Sequence, residues 1–114
     1  MRRLMLITLM AFPLYGNAAD FESGNTLKSS CNAAEDEYFS TGRCGGYITG
    51  IVDSLNTIEP TDAISGFRFC IPEGVTIGQL VDVWEKWSSE HPELMHVDAA
   101  SLVASAMADA FPCK

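Results

Sequence analysis

The side chains of this 114-residue chain that could do chemistry are four cysteines and two histidines. Cys31, Cys44, Cys70 and Cys113 succeed one another at intervals of 13, 26 and 43 residues. No two of them form a C-x-x-C pair, so a thioredoxin-like redox centre has no motif here. The intervals also match no zinc finger or zinc ribbon. An even set of cysteines in a small exported chain reads instead as two disulfides. His91 and His96 lie in the run H-P-E-L-M-H, with Glu90 and Glu93 close by. A helical zinc hydrolase would need H-E-x-x-H, which is absent. The two histidines are expected to cap and pack a helix junction. Carboxylates abound, but paired acids do catalytic work only across a pocket. The expectation is a protein that is not an enzyme and uses no metal or cofactor.

Disulfides require an oxidising compartment, and the N-terminus supplies a route to one. Arg2 and Arg3 precede an apolar run from Leu4 to Tyr15, broken only by Thr8 and Pro13. Gly16-Asn17-Ala18-Ala19 then offers small residues for cleavage after Ala18 or Ala19. Residues 1–19 are therefore expected to be a secretory signal peptide. The apolar run falls short of the roughly 20 residues that a membrane span needs. Nothing later is long and apolar enough, so no membrane association is expected after cleavage. Residues 20–114 are the right size for one small domain, and a bacterial periplasm is the expected location.

Removing residues 1–19 takes away two of the seven basic residues and none of the fifteen acids, leaving a net charge of −10. Nucleic acid, whose phosphates demand positive charge, is excluded as a partner. Anionic membrane surfaces are disfavoured for the same reason. A basic partner would be attracted to such a surface, although on charge alone plain solubility is the simpler explanation.

The pattern along residues 20–114 is helical throughout. Ser23 or Asn25 can cap a first helix, with Leu27, Cys31, Ala34 and Tyr38 on one face. The acidic run Glu35-Asp36-Glu37 ends it or begins the next. A second helix carries Cys44, Tyr47, Ile48, Ile51 and Leu55, starts between Tyr38 and Arg43, and ends near Asn56. Gly42, Gly45, Gly46 and Gly50 sit in or beside it, each costing about 1 kcal/mol relative to alanine. Close packing of another helix is the expected return. A phosphate loop is not, because G-x-x-x-x-G-K-[ST] is missing. Residues 56–68 lose the period and carry the turn formers Pro60, Asp62, Ser65 and Gly66. So long a connection is either a binding loop or an ordinary surface crossing. Thr76 and Gln79 fit a capping box, with Ile77, Leu80, Val81, Trp84 and Trp87 next on a buried face. Pro92 stops that helix. A last helix buries Ala99, Leu102, Val103, Ala106 and Ala110 and stops at Pro112.

These elements predict an all-α fold, a small bundle of four to five helices stapled by two disulfides. Cys70 precedes the tryptophan helix and Cys113 comes after the last one. Antiparallel neighbours bring those ends together, which favours Cys70–Cys113 and leaves Cys31–Cys44. The other two connectivities stay open on sequence alone.

The chain also resembles the Rap/Tai family of type VI secretion amidase immunity proteins. The resemblance rests on Cys31, on C-G-G-Y-I-T-G-I-V-D from Cys44 to Asp53, and on F-C-I-P-E-G-V-T-I-G-Q-L from Phe69 to Leu80. H-P-E from His91 to Glu93 and A-F-P-C from Ala110 to Cys113 complete it. It implies a compact helical fold, a periplasmic location, frequent homodimers, and one task. That task is to bind and block a peptidoglycan-cleaving amidase effector by occluding its active site. The length of the 56–68 connection and the acidic balance make Glu59 and Asp62 the expected partner-contacting residues. No match to the family's motifs carries those two positions. A periplasmic acid-stress chaperone, or an accessory envelope protein with no toxin partner, would share the same small, acidic, disulfide-linked plan.

Overall fold

A computed structural model describes residues 21–34, 36–56 and 68–114. They form four α-helices, α1 (Gly24–Cys31), α2 (Tyr38–Asn56), α3 (Ile77–Glu90) and α4 (Ala99–Ala110), with a short 3-10 turn at Pro92–Leu94. The all-α expectation holds. The expected signal segment and most of the 56–68 connection lie outside the described residues.

Local sequence chemistry starts three of the helices. The Ser23 hydroxyl accepts from the Thr26 amide at 3.2 Å, and the Thr26 hydroxyl accepts from the Ser23 amide at 2.9 Å. This reciprocal box satisfies two donors at the start of α1 that would otherwise be orphaned. Thr76 and Gln79 do the same for α3, at 3.2 and 2.8 Å. Ahead of α3, the Pro72–Val75 turn closes from the Val75 amide to the Pro72 carbonyl, with Gly74 at φ +90°. Glycine enters that backbone region without the steric cost a side chain would bring. Asp98 caps α4 by accepting from the Ser101 amide at 2.9 Å.

Two expectations about the first half of the chain fail. Helix α1 stops at Cys31, so Ala34 is an exposed loop residue and Tyr38 opens α2 with 84% of its surface exposed. Acids at a helix C-terminus would oppose its dipole, whereas Asp36 and Glu37 lie ahead of α2, at its favourable end. The glycines of α2 also do not receive a close neighbour. Among the described residues, a side chain at Gly42, Gly46 or Gly50 would meet nothing within 4 Å, and one at Gly45 would touch only Ile77, at 3.4 Å. The tight glycine is Gly24, where an added carbon would come within 2.6 Å of Leu102 and 3.0 Å of the Met95 backbone. Its amide donates to the Val97 carbonyl at 2.9 Å, so the start of α1 sits directly on the α3–α4 corner.

All four helices contribute to one core. Leu27 of α1, Cys44, Ile48 and Val52 of α2, Leu80, Trp84 and Trp87 of α3, and Ala99, Leu102, Val103, Ala106 and Met107 of α4 are buried. Phe69 and Met95 seal the ends. Trp84 is fully buried and its indole N–H has no hydrogen-bond partner among the described residues. Ile77 and Ala110, expected inside, are exposed. Both lie at helix ends, where the core thins out.

Candidate partner interface

The sulfur chemistry is structural. Cys31–Cys44 ties the end of α1 to α2, and Cys70–Cys113 ties the approach to α3 to the exit of α4, each with Cα atoms 4.9 Å apart. The connectivity favoured by the helix layout is the one formed, and no cysteine is free. A hydrogen bond from the Cys70 amide to the Phe111 carbonyl, at 2.8 Å, runs beside the second link. Of the two histidines, His91 succeeds the last residue of α3 and places Nδ1 2.8 Å from the Trp87 carbonyl. Its ring stacks on Trp87 with centroids 4.1 Å apart. His96 is exposed. Among the described residues no group of three or more His, Cys, Asp or Glu side chains could hold a metal. Glu59 and Asp62 lie outside the described residues.

A polar cluster that sequence reasoning missed locks the N-terminal end of the fold. The Glu22 side chain is 7% exposed and pairs with the Arg43 guanidinium on α2, which is 43% exposed. The second carboxylate oxygen, Oε1, is buried without a hydrogen bond. The Glu22 carbonyl accepts from the Ala99 amide at 2.9 Å, and Ser23 bridges Asp98 in antiparallel fashion. Burial pushes the Tyr47 phenol above its ordinary value, and the negative charges of Glu22 and Asp98 push it further. The Asp98 carboxyl is held below the usual range, first by its side-chain bond to Ser101 and then by the Ser101 amide. This cluster orders the approach to α1 and contains no nucleophile beside a base. Glu22 and Arg43 stand 21 residues apart, and no periodicity links them.

Two surfaces are shaped for contact. On the outer face of α2, Tyr38 and Phe39 are each 84% exposed beside the open backbone of Gly42, Gly46 and Gly50. Exposed aromatics over small residues are common at protein contacts. The adjacent Tyr38-Phe39 pair is visible in the sequence, but Tyr38 also fits the α1 period, and that period points it to the core. The second surface is a cleft between α3 and α4, beside Trp87, whose indole N–H donates to Asp109 Oδ2 at 2.7 Å. No helix among the described residues is long and apolar enough to cross a membrane.

The model of a family described as Rap1a immunity proteins matches residues 23–113. No curated protein and no solved structure matches the chain. The matched span begins at the Ser23 cap and ends at Cys113, so it includes all four helices and both disulfides.

Proposed function

The chain belongs to the Rap1a immunity protein family, and from that premise we propose that it binds and blocks a peptidoglycan-cleaving amidase of type VI secretion. The family match over residues 23–113 is the observation that carries this reading. Supporting it is the build of the molecule. Two disulfides and three side-chain helix caps make a rigid body, and rigidity lowers the entropic cost of association. An inhibitor of this kind acts by occlusion and carries out no catalysis of its own.

The excess of acids over bases in residues 20–114 suits a basic rim around an enzyme cleft. Glu59 and Asp62 remain our proposed contact residues within that surface. A homodimer, which the family resemblance implies, has a suitable face in the outer side of α2. Oxidised cysteines and the N-terminal pattern of residues 1–19 support export to the periplasm as one soluble domain, residues 20–114.

The test is a titration of purified residues 20–114 against candidate periplasmic amidases, with release of peptidoglycan stem peptides as the readout. A stoichiometric complex and loss of hydrolysis are expected from one of them. Charge reversal at both Glu59 and Asp62 is expected to weaken that complex. Absence of binding to every amidase, combined with protection of client proteins from aggregation at acid pH, would replace the inhibitor reading with the chaperone one.

A further inference from the structure

The α3–α4 hairpin carries an arrangement that scaffolding alone does not require. Trp84, Trp87 and His91 succeed one another along α3 and its cap with nearly parallel rings, 23° between the two indoles and 21° between Trp87 and His91. The spacing tightens from 6.4 Å to 4.1 Å toward the imidazole end. The Trp87 carbonyl can only accept, so His91 Nδ1 carries a hydrogen and the ring is locked in place. At the other edge of the stack, the Asp109 carboxylate holds the indole N–H of Trp87.

Trp87 and His91 border a cleft of about 320 Å³, lined also by Val83, Ala106, Glu90 and Asp109, while Trp84 is buried behind them. Pockets for small molecules run from roughly 300 to 1,000 Å³, so this one suits a single long side chain. A guanidinium fits its chemistry closely. It can lie on the His91 ring, fork onto the Glu90 and Asp109 carboxylates, and trail methylenes over Val83 and Ala106. An acidic guest would meet Glu90 and Asp109, and an apolar guest would strip them of water without pairing them. Lys86 is the one fixed cation in the lining and competes with the guest.

We propose that this cleft receives an arginine side chain from the partner protein. The inference rests on the inhibitor reading for the identity of that partner, while the acidic surface and the cleft's own charges select the side chain. The test uses the tripeptide amide Gly-Arg-Gly, with Gly-Lys-Gly as control, titrated into the 15N-labelled chain. The Trp87 indole N–H resonance is observed by NMR. A saturable shift is expected with the arginine peptide and a several-fold weaker one with lysine. Glu90→Gln is expected to weaken arginine binding about tenfold, whereas Lys86→Gln strengthens it. Both positions are exposed, so neither change threatens the fold. No saturable shift, equal responses to both peptides, or weaker binding in Lys86→Gln would overturn the assignment. Once an inhibited amidase is in hand, the same variants separate the two readings. Unchanged amidase affinity in Glu90→Gln removes the cleft from the interface and leaves inhibition standing. Arginine-peptide binding without any amidase complex keeps the cleft and removes the inhibitor reading.

Discussion

The Arg43 guanidinium on α2 is the ion-pair partner of the Glu22 carboxylate, which lies before α1 and is almost wholly buried. The pair fastens the approach to α1 to the second helix across 21 residues of sequence. Removing one member of a buried pair leaves the other charged and unpaired. Arg43→Ala is therefore expected to cost about 2–3 kcal/mol, reduced from the fully buried case because the guanidinium is partly in water. Glu22→Gln keeps an acceptor for the guanidinium and should cost less. Urea denaturation of both variants measures the order, and a larger loss in Glu22→Gln would refute it.

The two disulfides should differ in weight. Chain-entropy estimates give about 4 kcal/mol for closing 43 residues and about 3 kcal/mol for closing 13. A small domain has modest burial to fall back on. Cys70→Ser with Cys113→Ser is expected to lower the melting temperature more than Cys31→Ser with Cys44→Ser. Calorimetry on the two double variants is the check.

Glycine replacements should have opposite signs in the first two helices. Gly46→Ala and Gly50→Ala, with open space at both sites, are expected to stabilise by about 0.5–1 kcal/mol each. Gly24→Ala meets the Met95 backbone at 3.0 Å, which cannot yield as a side chain can. Its expected cost is about 1–3 kcal/mol. Thermal melts at low protein concentration test the signs without interference from self-association.

Asp98 ties stability to acid pH. Its folded-state carboxyl is held below the ordinary range by Ser101. The bound proton is thus disfavoured in the folded state, and the contribution is present in full above the unfolded value of about 4. It is lost as pH falls through the lower, folded value. Asp98→Asn should flatten this part of the acid-side stability curve while leaving a cap of similar strength at neutral pH. Denaturation midpoints from neutral pH down through the carboxylate range would show it, and identical slopes in the two proteins would count against the cap as the source.

Features built from neighbouring residues were legible in the sequence, and those joining distant residues were not. Thr76 and Gln79 announce the start of α3 because their bonds span three residues. The faces of Ile48 on α2 and of Leu102 on α4 emerge from period alone, and the helix layout then favours one disulfide pairing, leaving the other two open until the structure decides. The end of α1 was not legible, since Leu27, Cys31, Ala34 and Tyr38 keep helical spacing across a chain that has already left the helix. The α2 glycines misled for a physical reason. A missing side chain permits close approach but does not say whether the approaching surface belongs to the same molecule. Trp87 and Asp109, 22 residues apart, meet only because α3 and α4 fold back on each other.

The covalent links lie in series along the chain and do not interlace. Cys31–Cys44 closes within the α1–α2 half and Cys70–Cys113 within the α3–α4 half, so neither disulfide encloses residues 57–67. Across the halves the described contacts are noncovalent, with Leu27, Ile48 and Trp84 in the shared core and backbone bonds such as Gly24 to Val97. Topologically the protein is a pair of closed rings joined by one thread, and cutting that thread would leave two separately cross-linked pieces held together by the shared core alone. Split-fragment complementation and exchange of halves between copies are therefore routes built into the connectivity.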